Sequence, residues 1–182
     1  MSAHARPDPV LQADEAIDHF LGPKSAGVTL VEYGDFECPS CAQAQAAMKI
    51  MLAHFGRQLR FVYRHYPQRQ VHPDAELAAE AAEAAAAQGK FWPYHDLLFG
   101  NQSHLKEKNL LDYARRLDLD MARYQYEMKD HVYRQRVQEH LQSGQYLALR
   151  GTPAFFVNGL FADVSFGMQH LREVLERALS AG

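Results

Sequence analysis

Cys38-Pro39-Ser40-Cys41 sets two thiols three positions apart, and they are the only cysteines in the chain. The pair follows an apolar, β-branched run, Val28 to Tyr33, and opens a helical pattern that continues to Phe55. A cysteine at a helix mouth meets unpaired backbone N–H groups and the positive end of the helix dipole, both of which favour the thiolate. Pro39 costs nothing there, because the first helical N–H has no intrahelical partner. Cys38 is therefore the expected nucleophile. Cys41, one turn along and facing inward, is the thiol that resolves a mixed disulfide. Zinc would need two further Cys or His ligands at suitable spacing, and no second C-x-x-C or close His pair follows, so no metal is expected. A structural disulfide closing so small a loop would constrain little.

Two further elements carry chemistry. Glu32 lies inside the apolar strand before the cysteines, where a carboxylate is costly without a partner or a task. Buried, it would be raised in pKa and could exchange a proton with Cys41. The other reading is a wet or salt-bridged residue at the strand end. Gly151-Thr152-Pro153 precedes the apolar run Ala154 to Val157. A cis Thr152–Pro153 bond would bring this turn beside the Cys38 sulfur, so that Thr152 backbone groups could pair with an extended peptide. An ordinary trans turn is the alternative. With Pro39 and Ser40, Thr152 and Pro153 form the expected substrate-binding set.

The elements that must position these residues read as one α/β domain. Leu11 to Leu21 suggests a short amphipathic piece ended by Gly22-Pro23. Val28–Tyr33, the helix to Phe55 and Leu59–His65 make a βαβ unit with parallel strands. Helical patterns then run over Ala75–Gln88, from Pro93 to Gly100, and over Leu110–Leu117, Met121–Lys129 and Val132–Leu149. Asn158-Gly159 between Ala154–Val157 and Leu160–Val164 signals a hairpin, since both turn residues tolerate positive φ. A helical stripe from Leu171 to Leu179 closes the chain. The expected divisions are residues 22–70 for the βαβ half, 71–149 for an inserted all-helical subdomain, and 150–182 for the ββα half.

The motifs resemble the DsbA-like branch of the thioredoxin superfamily. The resemblance is carried by Val31-Glu32-Tyr33-Gly34-Asp35-Phe36-Glu37-Cys38-Pro39-Ser40-Cys41 and by Gly151-Thr152-Pro153-Ala154-Phe155-Phe156-Val157-Asn158-Gly159. Tyr63-Arg64-His65-Tyr66-Pro67 and Gly89-Lys90-Phe91-Trp92-Pro93-Tyr94-His95-Asp96-Leu97-Leu98 support it between them. It implies a thioredoxin fold with an inserted helical subdomain. It also implies dithiol–disulfide exchange with cysteine-containing protein or peptide substrates, Glu32 as the buried acid and Pro153 as the cis-proline. Electrons would pass through Cys38 and Cys41 themselves, so no bound cofactor is implied. The redox partner, glutathione or another dithiol protein, is left open. Ser40 stands where the best-known oxidases of this branch carry His, and Glu37 adjoins the nucleophile. Cys38 should therefore titrate below about 8.5 but above about 3.5, with a potential between about −270 and −150 mV.

Composition narrows the remaining classes. The chain has 182 residues, is 47% hydrophobic and 23% charged, and carries a net charge of −3. That balance supplies no cationic field for nucleic acid or an anionic membrane, and no apolar run reaches bilayer length. Without an apolar leader the expected compartment is the cytoplasm, or the periplasm if a leader has been removed. Two rival functions share parts of this pattern. A glutathione-dependent transferase or isomerase would dispense with Cys41, and a peptide-binding or chaperone module would need neither thiol. Phe36, Tyr66, Phe91, Trp92 and Phe166 are candidates for an apolar substrate groove.

Overall fold

The computed structural model describes residues 9–181. Five strands form one sheet in the order β1-β3-β2-β4-β5. They are β1 (His19–Leu21), β2 (Val28–Gly34), β3 (Leu59–His65), β4 (Ala154–Val157) and β5 (Leu160–Ala162). β2 and β3 are interior strands, and every residue of β3 is buried. This explains why β3 reads as a continuous run rather than an alternating one. Its charges survive burial because they are paired. The Arg64 guanidinium donates to both Asp18 carboxylate oxygens at 2.8 Å, to the Val10 and Gln12 carbonyls, and to the Tyr33 hydroxyl.

Between β2 and β3 in sequence lies α1 (Pro39–Phe55), ended by Gly56 at φ +52, a conformation that favours glycine. Between β3 and β4 come α2 (Ala75–Ala86), α3 (Phe91–Phe99), α4 (Glu107–Arg116), α5 (Met121–Lys129) and α6 (Arg134–Tyr146). α2 packs against the other four. Its alanines at 78, 79, 81, 82, 84 and 85 are all buried, and their small side chains permit close approach on several faces at once. Asn158 and Gly159 both take positive φ, as an Asn-Gly hairpin requires, and the Asn158 side chain accepts the Thr29 N–H at 2.9 Å. α7 (Met168–Ser180) packs on β4.

The chain divides into two compact units. One comprises the residues up to Tyr33, Ala44–Arg64 and the chain from Pro153 onward. The other comprises Gly34–Gln43 and His65–Thr152, so the helices α2 to α6 and the C-x-x-C segment share a unit. No helix among the described residues is long and apolar enough to cross a membrane.

The amphipathic piece from Leu11 to Leu21 is no single element: a 3-10 turn covers Pro9–Leu11, and His19–Leu21 is β1, antiparallel to β3 with Phe20 opposite Val62. Two aspartates redirect the backbone. Asp14 accepts the Ala16 N–H and Asp18 accepts the Asp14 N–H, both at 2.8 Å, which gives the chain a side-chain-closed turn in place of a helix. Smaller differences are at ends. The helix expected from Val132 starts at Arg134 and stops at Tyr146, and the second hairpin strand stops at Ala162 rather than Val164.

Candidate active site

α1 begins at Pro39, so Cys38 stands just outside its first turn. The Cys38 carbonyl accepts the N–H groups of Cys41 at 3.1 Å and Ala42 at 3.2 Å, closing that turn, while the Cys38 N–H donates to the Asp35 carbonyl. Both cysteines are buried thiols in this structure. Pro39 and Ser40 between them are exposed.

The Cys38 thiol is held well below the ordinary range, at about 5. The largest cause is a hydrogen bond with the Cys41 side chain; burial works in the opposite direction. The Thr152 side chain and the backbone amides of Cys41 and Ser40 add smaller stabilisation of the anion. The helix mouth thus contributes, as the sequence implies, but the neighbouring thiol contributes more. The value falls inside the expected window. Burial, the first cause, raises the Glu37 pKa, and its carboxylate accepts the Asp74 N–H at 2.6 Å.

Thr152 meets Cys38 directly. The Cys38 thiol donates to the Thr152 carbonyl at 3.4 Å, a contact that favours the protonated form and is outweighed by the donors above. The Thr152 hydroxyl accepts from the Gln68 side-chain amide at 2.9 Å. Pro153 follows at once and leads into β4. In this way the structure brings Cys38, Cys41 and Thr152 together.

Three residues that sequence reasoning missed hold this arrangement. Asp35 is buried, and its carboxylate accepts the Glu37 N–H, the Gln68 N–H and a contact from His72 Nδ1, each at 2.8 Å. It fastens the loop before Cys38 to the loop after β3, which in turn supplies Gln68 to Thr152. Gln102, in the turn after α3, donates its side-chain amide to the carbonyls of Phe36 at 2.9 Å and Cys38 at 2.8 Å. An Asp directly after a strand-ending Gly reads as a turn signal, and nothing in the local pattern marks a glutamine in a loop.

Glu32 is fully buried on β2, and the Gln45 side-chain amide donates to both of its carboxylate oxygens at 3.1 and 3.0 Å. The strand-end reading is therefore set aside: Glu32 faces Phe155 in the middle of the β2–β4 ladder. The candidate groove residues separate. Phe36 and Phe91 are core, Phe36 packing on Phe99 with ring centroids 4.9 Å apart. Tyr66 is buried and donates its hydroxyl to the Leu149 carbonyl. Trp92 is half-buried against Phe91 and His95, and Phe166 is 87% exposed.

Known proteins share this architecture. The structure of oxidised BdbD from Bacillus subtilis matches with a TM-score of 0.81 at 22% identity, covering 93% of this chain and 96% of that one. A thioredoxin-like oxidoreductase from Silicibacter pomeroyi matches with a TM-score of 0.78 at 29% identity, covering 96% and 95%. Among curated proteins, the chain is 43% identical over 173 residues to Na(+)/H(+) antiporter NhaA 1 of Salinispora arenicola, covering 95% of this chain and 26% of that protein. It is 42% identical over 163 residues to Na(+)/H(+) antiporter NhaA of Herminiimonas arsenicoxydans, covering 90% and 26%. The chain thus spans about a quarter of the length of these relatives. The family model for thioredoxin, Thioredoxin_4, matches residues 15–177, and by that match, with the fold and the paired thiols, the chain belongs to the thioredoxin family.

Proposed function

We propose that this chain is a DsbA-like thiol–disulfide oxidoreductase acting on cysteine-containing proteins or peptides. The observation that carries the reading is the pairing of an acidified Cys38 with a buried Cys41 thiol, beside the Thr152 carbonyl. In the oxidising direction a substrate thiolate attacks the Cys38 sulfur of the Cys38–Cys41 disulfide, and Cys41 leaves as a thiolate. A second substrate thiolate then attacks the substrate sulfur of the mixed disulfide and expels Cys38. A leaving group ionised near pH 5 makes the last step favourable. In reverse, Cys38 attacks a substrate disulfide and Cys41 resolves the product.

The Thr152–Pro153 turn, with a cis peptide bond, is the docking edge for the substrate backbone, and Pro39 and Ser40 are the exposed rim beside it. Glu32 is the carboxylate that exchanges a proton with the resolving thiol. A Cys38 thiol more acidic than that of thioredoxin and less so than that of DsbA supports a couple between theirs, within about −270 to −150 mV. In a cytoplasm such a couple rests mostly as the dithiol; in an oxidising compartment it donates its disulfide.

The test is to mix Cys41→Ser with a disulfide-bonded peptide. Cys38 then accumulates as a stable mixed disulfide, which a transferase needing one thiol would turn over and a chaperone would never form. Glu32→Gln leaves trapping intact and slows only resolution.

A further inference from the structure

Gln102 sits in the short turn between α3 and α4, far from the cysteines in sequence. The turn itself is braced: the Asn101 side-chain amide donates to the Leu97 carbonyl at 2.8 Å, and the His104 N–H to the Asn101 carbonyl at 2.8 Å. From it the Gln102 side chain reaches the two carbonyls on either side of Glu37, those of Phe36 and Cys38. Both neighbours are acceptors, so only the NH2 end of the amide can meet them, one N–H to each. A side chain that ends in a carboxylate or an alkyl group cannot do this.

We propose that Gln102 is a positioning residue for the redox thiol: its amide holds the Phe36–Cys38 turn so that the first N–H groups of α1 bear on the Cys38 sulfur. Phe36 anchors one side of the turn through its packing on Phe99 and His95. Asp35 anchors it from the other side by accepting the Glu37 N–H. The Cys38 carbonyl is the remaining corner of the turn. It already accepts from Cys41 and Ala42, and the bond from Gln102 fixes the direction in which it points. Since the carbonyl and the sulfur belong to one residue, rotating the first swings the second away from the amides of Ser40 and Cys41. Those two amides act on Cys38 together with the Cys41 thiol and the Thr152 side chain. Gln102 touches no reacting atom; it acts through the turn.

The experiment compares wild type with Gln102→Met, which keeps volume and removes both donors, and with Gln102→Glu, which sets acceptors against acceptors. Thiolate absorbance across pH reads the Cys38 pKa, and equilibration with reduced and oxidised glutathione reads the couple. Expected for Gln102→Met is a pKa about one unit higher and a glutathione equilibrium moved about tenfold toward the protein disulfide, with the same unfolding midpoint for the oxidised form. Gln102→Glu should move both further. Should either variant fail to fold, the wild-type side-chain NH2 resonances of Gln102 decide. They should titrate with Cys38 and lose that inflection in Cys38→Ser. A folded Gln102→Met with unchanged pKa and equilibrium, or amide resonances indifferent to Cys38, overturns the assignment. The inference rests on the oxidoreductase reading, and the two fail differently. A wild-type Cys38 titrating as an ordinary thiol defeats that reading, whereas a low pKa unmoved in Gln102→Met defeats only the role of Gln102.

Discussion

Cys38 shows how an ordinary side chain acquires reactivity from its neighbours. Its pKa near 5 is the outcome of opposed effects: Cys41, Thr152 and two amides against burial. The pH dependence follows. Thiolate persists above about pH 5 and is lost below it, so the rate of Cys38 alkylation by iodoacetamide should be flat from pH 6 to 8 and fall tenfold per unit below about 5. An ordinary cysteine would instead gain rate steadily over pH 6 to 8. Much of this was legible in the sequence, since C-x-x-C after a strand and before a helix puts Cys38 at the helix mouth. The supporting polar residues were not. Asp35, Gln68 and Gln102 lie at 35, 68 and 102 and converge only because three separate loops do. Hydrogen bonds between loops leave no periodic trace for pattern reading to follow.

Among the elements, β3 shows the largest distance between what composition suggests and what burial demands. It carries Arg60, Arg64 and His65, and all three are buried. Arg64 is tied to Asp18 by two contacts of 2.8 Å, with the carboxylate side chain entirely covered. Removing one partner of such a pair strands the other. Arg64→Met should therefore destabilise the fold by about 3–5 kcal/mol, read as a lower urea midpoint at unchanged slope. Over the amphipathic Leu11–Leu21 piece the Asp14 and Asp18 side chains close a turn, and β3 offers an edge to pair with. Local periodicity loses where a neighbouring strand supplies backbone partners. Elements whose ends are set by Gly or by Asn-Gly, such as α1 and the β4–β5 hairpin, were legible because glycine conformation is a local property.

At the scale of the whole molecule, the order of the main elements from Val28 onward was readable from the chain: strand, helix, strand, five helices, hairpin, helix. The Gly34–Gln43 segment groups with the helices α2 to α6 in one unit. Redox state and global stability are linked through the same sulfur. With the thiol lowered from an ordinary 9 to about 5 on folding, Cys38 stabilises the reduced protein fully above pH 9, less as pH falls, and not at all below about 5. The melting midpoint of the reduced protein, measured against Cys38→Ser, should therefore separate from that variant as pH rises from 5 to 9. A gap independent of pH would contradict the linkage.

The contact between the Cys38 thiol and the Thr152 carbonyl also has a steric meaning. A sulfhydryl can donate to that oxygen and a thiolate cannot, so loss of one proton both arms the sulfur and uncaps an acceptor in the turn before β4. With the proton in place the sulfur is inert and the oxygen is already taken.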